Sequence, residues 1–135
     1  MKTQSAPRSL FIRTMIVLNG LNNLLIGLAL IFAPEWFFAN IGRFPPYNRH
    51  FLGDVGVLML PLGAGLLWAA CDPAKHKSLI AVAVAGSWLH ALNHLYDDWI
   101  SQALSPLFFT NTLPLIALAL LLSTAYFAIE RPASE

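Results

Sequence analysis

Hydrophobic residues along the chain form four long runs that are separated by short polar segments. The runs cover residues 14–33, 51–70, 78–96 and 107–129. Each run is long enough to cross a bilayer as a helix, which takes roughly 20 apolar residues. Because every backbone amide in lipid must be hydrogen-bonded inside the protein, we expect helices. The pattern therefore predicts an all-α integral membrane four-helix bundle, a single four-span domain over residues 1–135.

Composition narrows the class of protein further. Of the 135 residues, 57% are hydrophobic and 11% are charged, whereas soluble domains carry about 25% charged residues. A water-soluble chain of this length could not cover so much apolar surface, so the lipid bilayer is the expected partner. The net charge is only +1 and the basic residues form no patch, which argues against binding to nucleic acid.

The distribution of basic residues predicts the orientation in the membrane. With four spans, the N-terminus, the second connection and the C-terminus lie on one side. That side carries six of the eight basic residues, namely Lys2, Arg8, Arg13, Lys75, Lys77 and Arg131. Only Arg43 and Arg49 lie on the other side. Since cytoplasmic segments are enriched in Lys and Arg, both termini are predicted to be cytoplasmic.

The segment HALNHLYDD, at the end of the third run, carries the most prominent chemistry. Ionisable side chains are costly near hydrocarbon, and a cluster of them there marks a candidate functional site. At 100° per residue, His90, His94 and Asp97 fall within about 60° of one helix face. Asp98 lies one step further round the same helix.

A second short cluster opens the preceding run, where His50 and Asp54 are one helical turn apart. Because the second and third spans run antiparallel, we expect both clusters at the same extracytoplasmic level. Imidazole and carboxylate together suit zinc, iron or copper, and helical bundles build metal sites from facing helices. The predicted ligands of a divalent transition metal are His50, Asp54, His90, His94 and Asp97, with Asp98 and Glu35 as neighbours that support them.

Other interpretations of the polar cluster remain open at this point. It could be a structural network of hydrogen bonds between helices, or His90 or His94 could be an axial ligand of a b-type haem. The zinc peptidase motif HExxH is absent because Ala91 follows His90. Catalytic residues are unknown, although a metal site here could act on a lipophilic substrate. The main alternative is a non-enzymatic accessory or stabilising subunit of a larger membrane complex. The chain could also form a homo-oligomer.

Small and polar residues inside the first two spans predict how these helices contact each other. Glycines in the second span, Gly53, Gly56, Gly63 and Gly65, would allow a close approach of two helices. In the first span, Asn19 and Asn23 are one turn apart and are expected to form hydrogen bonds to a neighbouring helix.

The second and third spans resemble small four-span bacterial membrane proteins that are broadly DoxX-like. The resemblance rests on the segment NRHFLGDVG, with Asn48, His50, Phe51, Asp54, Val55 and Gly56, and on the HxxxHxxD segment, with His90, His94 and Asp97. It covers about half of the chain. The resemblance implies a multi-pass protein of the bacterial inner membrane, and it implies no particular reaction.

Overall fold

The chain is all-helical in the computed structural model, which describes residues 6–100 and 108–129. The helices are α1 (Ala6–Phe32), α2 (Pro34–Asn40), α3 (Arg49–Ala69), α4 (Lys77–Ile100) and α5 (Leu113–Ala128), with a π-helical turn (Phe108–Thr112) directly before α5. Helices α1, α3, α4 and the last segment, Phe108–Ala128, are long and apolar enough to span a membrane. The predicted four-helix membrane bundle is therefore confirmed, and the protein is a multi-pass membrane protein.

The helices extend beyond the apolar runs that predicted them. Helix α1 begins at Ala6 rather than near residue 14, and α4 continues to Ile100 rather than ending near residue 96. Polar residues at these ends continue the helix past the apolar run. The predicted fourth span starts at residue 107, which lies outside the described part of the chain, as do Lys2 and Arg131.

Glycines allow the backbones of α1 and α3 to contact each other directly. A Cβ atom built on Gly63 would lie 2.6 Å from the backbone nitrogen of Leu24, and one on Gly56 would lie 2.9 Å from the carbonyl oxygen of Gly27. A Cβ on Gly20 would press on Leu67 at 3.0 Å. Real Cβ atoms essentially never lie within 3.0 Å of a neighbouring atom, so the close approach of this antiparallel pair at Gly56 and Gly63 depends on the absence of side chains there.

The other helices are arranged around this pair. Helix α5 packs against α1, and α4 packs mainly against α5, whereas α3 and α4 touch each other over a smaller area. The apolar core combines residues from all four long helices, and its largest fully buried members are Ile12, Ile16, Leu66, Ile80 and Leu122.

At one end of the bundle, which we call the basic end, cations bind the carbonyl groups that terminate helices. This is the end where α1 and α4 begin and where α3 and α5 finish. Arg13 donates to the carbonyl oxygens of Ala70 and Cys71 at 2.9 and 2.8 Å. Arg8 and Lys77 reach the end of α5, with bonds to Ala128 and Ile129 at 2.7 and 2.6 Å. The last carbonyls of a helix lack partners within it, and cations there also interact favourably with the helix dipole.

The side-chain amides of the asparagines in α1 form different hydrogen bonds from those that the sequence predicted. Asn19 is 2% exposed, and its amide donates to the carbonyl of Met15 on its own helix at 3.1 Å. Asn23 donates likewise to the carbonyl of Asn19 at 2.9 Å. The expected donation to a neighbouring helix is therefore not what these amides do. Carbonyls one turn back along α1 satisfy these donors inside the apolar core.

The glycine contact yields a matched pair of substitutions in α3. Gly63→Ala is expected to lower the free energy of unfolding by about 1–3 kcal/mol, since overpacking of a tight contact costs about that much. Gly53→Ala is the control, because a Cβ there meets no atom within 4 Å; it should be neutral or stabilise by less than about 1 kcal/mol. Thermal unfolding in detergent measures both, and equal losses would contradict the contact described here.

Candidate functional site

Two histidines of α4 face each other at the end of the bundle opposite the basic end, which we call the histidine end. The Nε2 atoms of His90 and His94 lie 3.1 Å apart, and the ring centroids lie 4.9 Å apart. The i, i+4 spacing on a helix brings the two rings together. His94 is half-buried, whereas His90 is exposed. One ring nitrogen of each imidazole is therefore directed at the same point in space.

The surroundings of this histidine pair combine one aromatic ring with carboxylates. Phe44, in the connection between α2 and α3, packs edge-on against His94 with ring centroids 5.5 Å apart. Asp97 lies on the next turn of α4 and accepts a 3.3 Å hydrogen bond from the amide of Asn93. Phe44 thus covers one side of His94, while Asp97 extends the polar face along the helix.

Asp98 has a different role from its neighbour, because it joins α4 to the last span. The hydroxyl of Thr112, which is 1% exposed, donates to Asp98 at 2.6 Å. About three turns deeper in the bundle, the indole of Trp88 donates to the hydroxyl of Ser123 at 3.0 Å. These two side-chain bonds tie α4 to the last span at separate depths.

His50 and Asp54 form a pair of their own on α3. His50 Nε2 lies 3.5 Å from an oxygen of Asp54, and the two side chains are 89% and 64% exposed. They line a half-open groove of about 230 Å³ together with residues of α1 and α3 only. The groove does not involve α4.

The structure does not bring the five predicted ligands into one group. Among the residues described, no hydrogen bond, ion pair or ring contact joins the His50–Asp54 pair to the residues of α4. No group of three or more His, Cys, Asp or Glu side chains there could hold a metal ion. The rotation of α3 does not account for this, because Asp54 lies only about 20° round the helix from Gly65, which faces Leu79 of α4. Helices α3 and α4 instead touch each other over only a small area.

Other residues considered from the sequence lie apart from the histidine pair. Glu35 is exposed in the first turn of α2. His76 stacks on Trp68 at the basic end, with ring centroids 4.1 Å apart. The sequence did not predict the contacts of Phe44 and Thr112 at this end of the bundle. Phe44 belongs to an aromatic connection, and Thr112 directly follows two other polar residues, so neither pattern singled out these side chains.

Comparison with known proteins assigns no function to this site. No protein-family model matches the chain, and no curated protein or solved structure is significantly similar to it. The DoxX-like resemblance therefore stays a prediction.

The bond between Asp98 and Thr112 can be measured by a double-mutant cycle. Asp98→Ala and Thr112→Val are expected to couple by about 0.6 kcal/mol, and by no more than about 1.7 kcal/mol, in detergent unfolding, as hydrogen bonds between membrane helices do. The neighbouring carboxylate supplies the control, because Asp97 bonds within α4; Asp97→Ala and Thr112→Val should be additive. Additive effects of Asp98→Ala and Thr112→Val would show that this bond does not hold the helices together.

Proposed function

We propose that the protein binds a divalent transition metal ion at the histidine end of the bundle, with His90 and His94 as its primary ligands. The observation that carries this proposal is the 3.1 Å separation of the two Nε2 atoms. Metal–imidazole bonds are about 2.0–2.1 Å long, so one ion bound by both nitrogens would subtend an angle of roughly 100°. That angle lies between the octahedral and tetrahedral values, so the separation suits one shared ion once the ring that donates the hydrogen bond carries its proton on Nδ1 instead.

Donor chemistry narrows the metal to zinc, copper or iron. Imidazole favours these three ions over magnesium and calcium, which prefer oxygen. Asp97, one turn from His94, is the nearest carboxylate of the predicted set on the same helix face, and it supplies an oxygen ligand when its side chain rotates away from Asn93. Two or three protein ligands leave coordination positions for water or a substrate, which is the arrangement of catalytic rather than structural zinc sites.

The geometry favours a bare ion over haem. The two imidazoles are in contact with each other on one helix, so they cannot bind opposite faces of one haem, and a haem on either histidine would have to displace the other ring. Phe44 against the ring of His94 further limits the space on that side. Catalysis at the metal is a second, separate proposal. Its lipophilic substrate would reach the exposed His90 from the side of the bundle.

Metal titration of the purified, chelator-treated protein tests the proposal. Zinc or cobalt ions should bind at one equivalent per chain, and His90→Ala or His94→Ala should weaken binding at least about tenfold, since even supporting residues are worth 10–100-fold. His76→Ala is the control, because that ring stacks on Trp68 at the opposite end. Equal affinity of the wild type and His94→Ala would refute the assignment.

The accessory-subunit alternative gives a different result in the same preparation. It is favoured by the many large apolar side chains that α4 exposes, such as Leu89, Leu92 and Trp99, although lipid also satisfies such a surface. An accessory subunit would purify with a stoichiometric partner and without metal. A Soret band in the visible spectrum would instead support haem.

The basic residues support an orientation with both termini in the cytoplasm. In the described chain, Arg8, Arg13 and Lys77 share the basic end with Lys75, and such residues favour the cytoplasmic side. We place the metal site on the extracytoplasmic side, in a bacterial inner membrane as the DoxX-like resemblance implies.

Reporter fusions measure this orientation directly. A reporter that is active only outside the cytoplasm should be silent when fused at Glu135 and active when fused after Gln102. Arg8→Glu and Arg13→Glu together should weaken this asymmetry, because they remove positive charge from the cytoplasmic side. Activity of the reporter at Glu135 in the wild type would contradict the proposed topology.

A further inference from the structure

The groove beside His50 and Asp54 has opposite charges on its two sides. It is lined by Leu30 and Ile31 of α1 and by Arg49, His50, Gly53, Asp54 and Val57 of α3. At 100° per residue, Arg49 and Asp54 lie about 140° apart on α3, with Gly53 between them. A cation and a carboxylate therefore lie on either side of Gly53, with His50 beside the carboxylate, and the rest of the lining is apolar.

Both charges are available to a ligand. Arg49 forms no hydrogen bond or ion pair with the described residues, and the Asp54 carboxylate is 64% exposed with one oxygen near His50. The volume of about 230 Å³ is below the roughly 300–1,000 Å³ of pockets for drug-sized ligands. It suits a small polar group that carries both a positive and a negative charge.

We infer that this groove binds the headgroup of an aminophospholipid, with its phosphate at Arg49 and its primary ammonium at Asp54. The groove opens at the end of two membrane-spanning helices, where lipid headgroups lie. Leu30, Ile31 and Val57 then contact the first part of the acyl chains. Arginine recognises phosphate by paired hydrogen bonds, and a carboxylate accepts hydrogen bonds from an ammonium. This inference is independent of the metal site, because the two sites share no residue.

A glycine pair gives the central experiment. Gly53→Leu places a side chain on the floor of the groove, while Gly86→Leu is the matched control, because a Cβ at either position meets no atom within 4 Å. The full-length protein is reconstituted in mixed vesicles of phosphatidylethanolamine and phosphatidylcholine, extracted gently, and its bound lipid is counted by native mass spectrometry. Gly53→Leu should lose the bound lipid, and Gly86→Leu should retain it.

Headgroup chemistry provides the second readout. A trimethylated ammonium donates no hydrogen bond, so the wild type should prefer phosphatidylethanolamine to phosphatidylcholine by about tenfold, the equivalent of one charge-assisted hydrogen bond. Asp54→Asn should abolish this preference while some phospholipid still binds. Arg49→Gln should weaken the binding of both lipids. Metal binding should be unchanged in all of these variants, because the groove and the metal site share no residue.

Three results would overturn the inference. One is equal retention of the two lipids by the wild type. Another is displacement of the lipid by free phosphoethanolamine at equimolar concentration, which would assign the groove to a soluble ligand. The third is a wild-type dimer that Gly53→Leu converts to a monomer with no change in bound lipid, which would assign the groove to a second copy of the chain.

Discussion

The close contact between α1 and α3 determines where the chemistry of this protein lies. Gly56 and Gly63 face the backbone of α1 at distances that no Cβ would tolerate, so this glycine face of α3 packs on α1. With α3 held there, His50 and Asp54 are exposed and line the groove. Helix α4 packs mainly on α5 instead, and the two polar pairs remain apart.

The two ends of the bundle use their polar groups differently. At the basic end, Arg8, Arg13 and Lys77 are bonded to helix-terminal carbonyls, so the positive charges that favour a cytoplasmic location also complete the helix ends. At the histidine end, Asp98 holds two helices together, whereas His90 and Asp97 bond only within α4. At the histidine end, the Nε2 atoms of His90 and His94 also lie close enough to share one ion, which is the reason for the proposed binding function there.

The fold could be predicted from the sequence, because long apolar runs form helices in lipid, where every backbone amide must be hydrogen-bonded within the protein. The pairing of His90 with His94 was also predictable, since it depends on local helical spacing alone. The separation of the two polar pairs was not predictable, because antiparallel topology sets the depth of a residue but not how closely two helices pack at that depth. Helix α3 packs mainly on α1, and the sequence alone does not show which glycines make that contact: Gly56 faces α1, whereas Gly53 faces open space.

The central claim is that His90 and His94 bind one metal ion through their Nε2 atoms. X-ray absorption spectroscopy of the copper- or zinc-loaded protein tests it most directly, because imidazole rings give a characteristic multiple-scattering pattern. The account predicts two imidazole ligands at about 2.0–2.1 Å, and the loss of that pattern in His90→Ala/His94→Ala. A first shell of oxygen atoms without imidazole, or the same spectrum in the double variant, would contradict it.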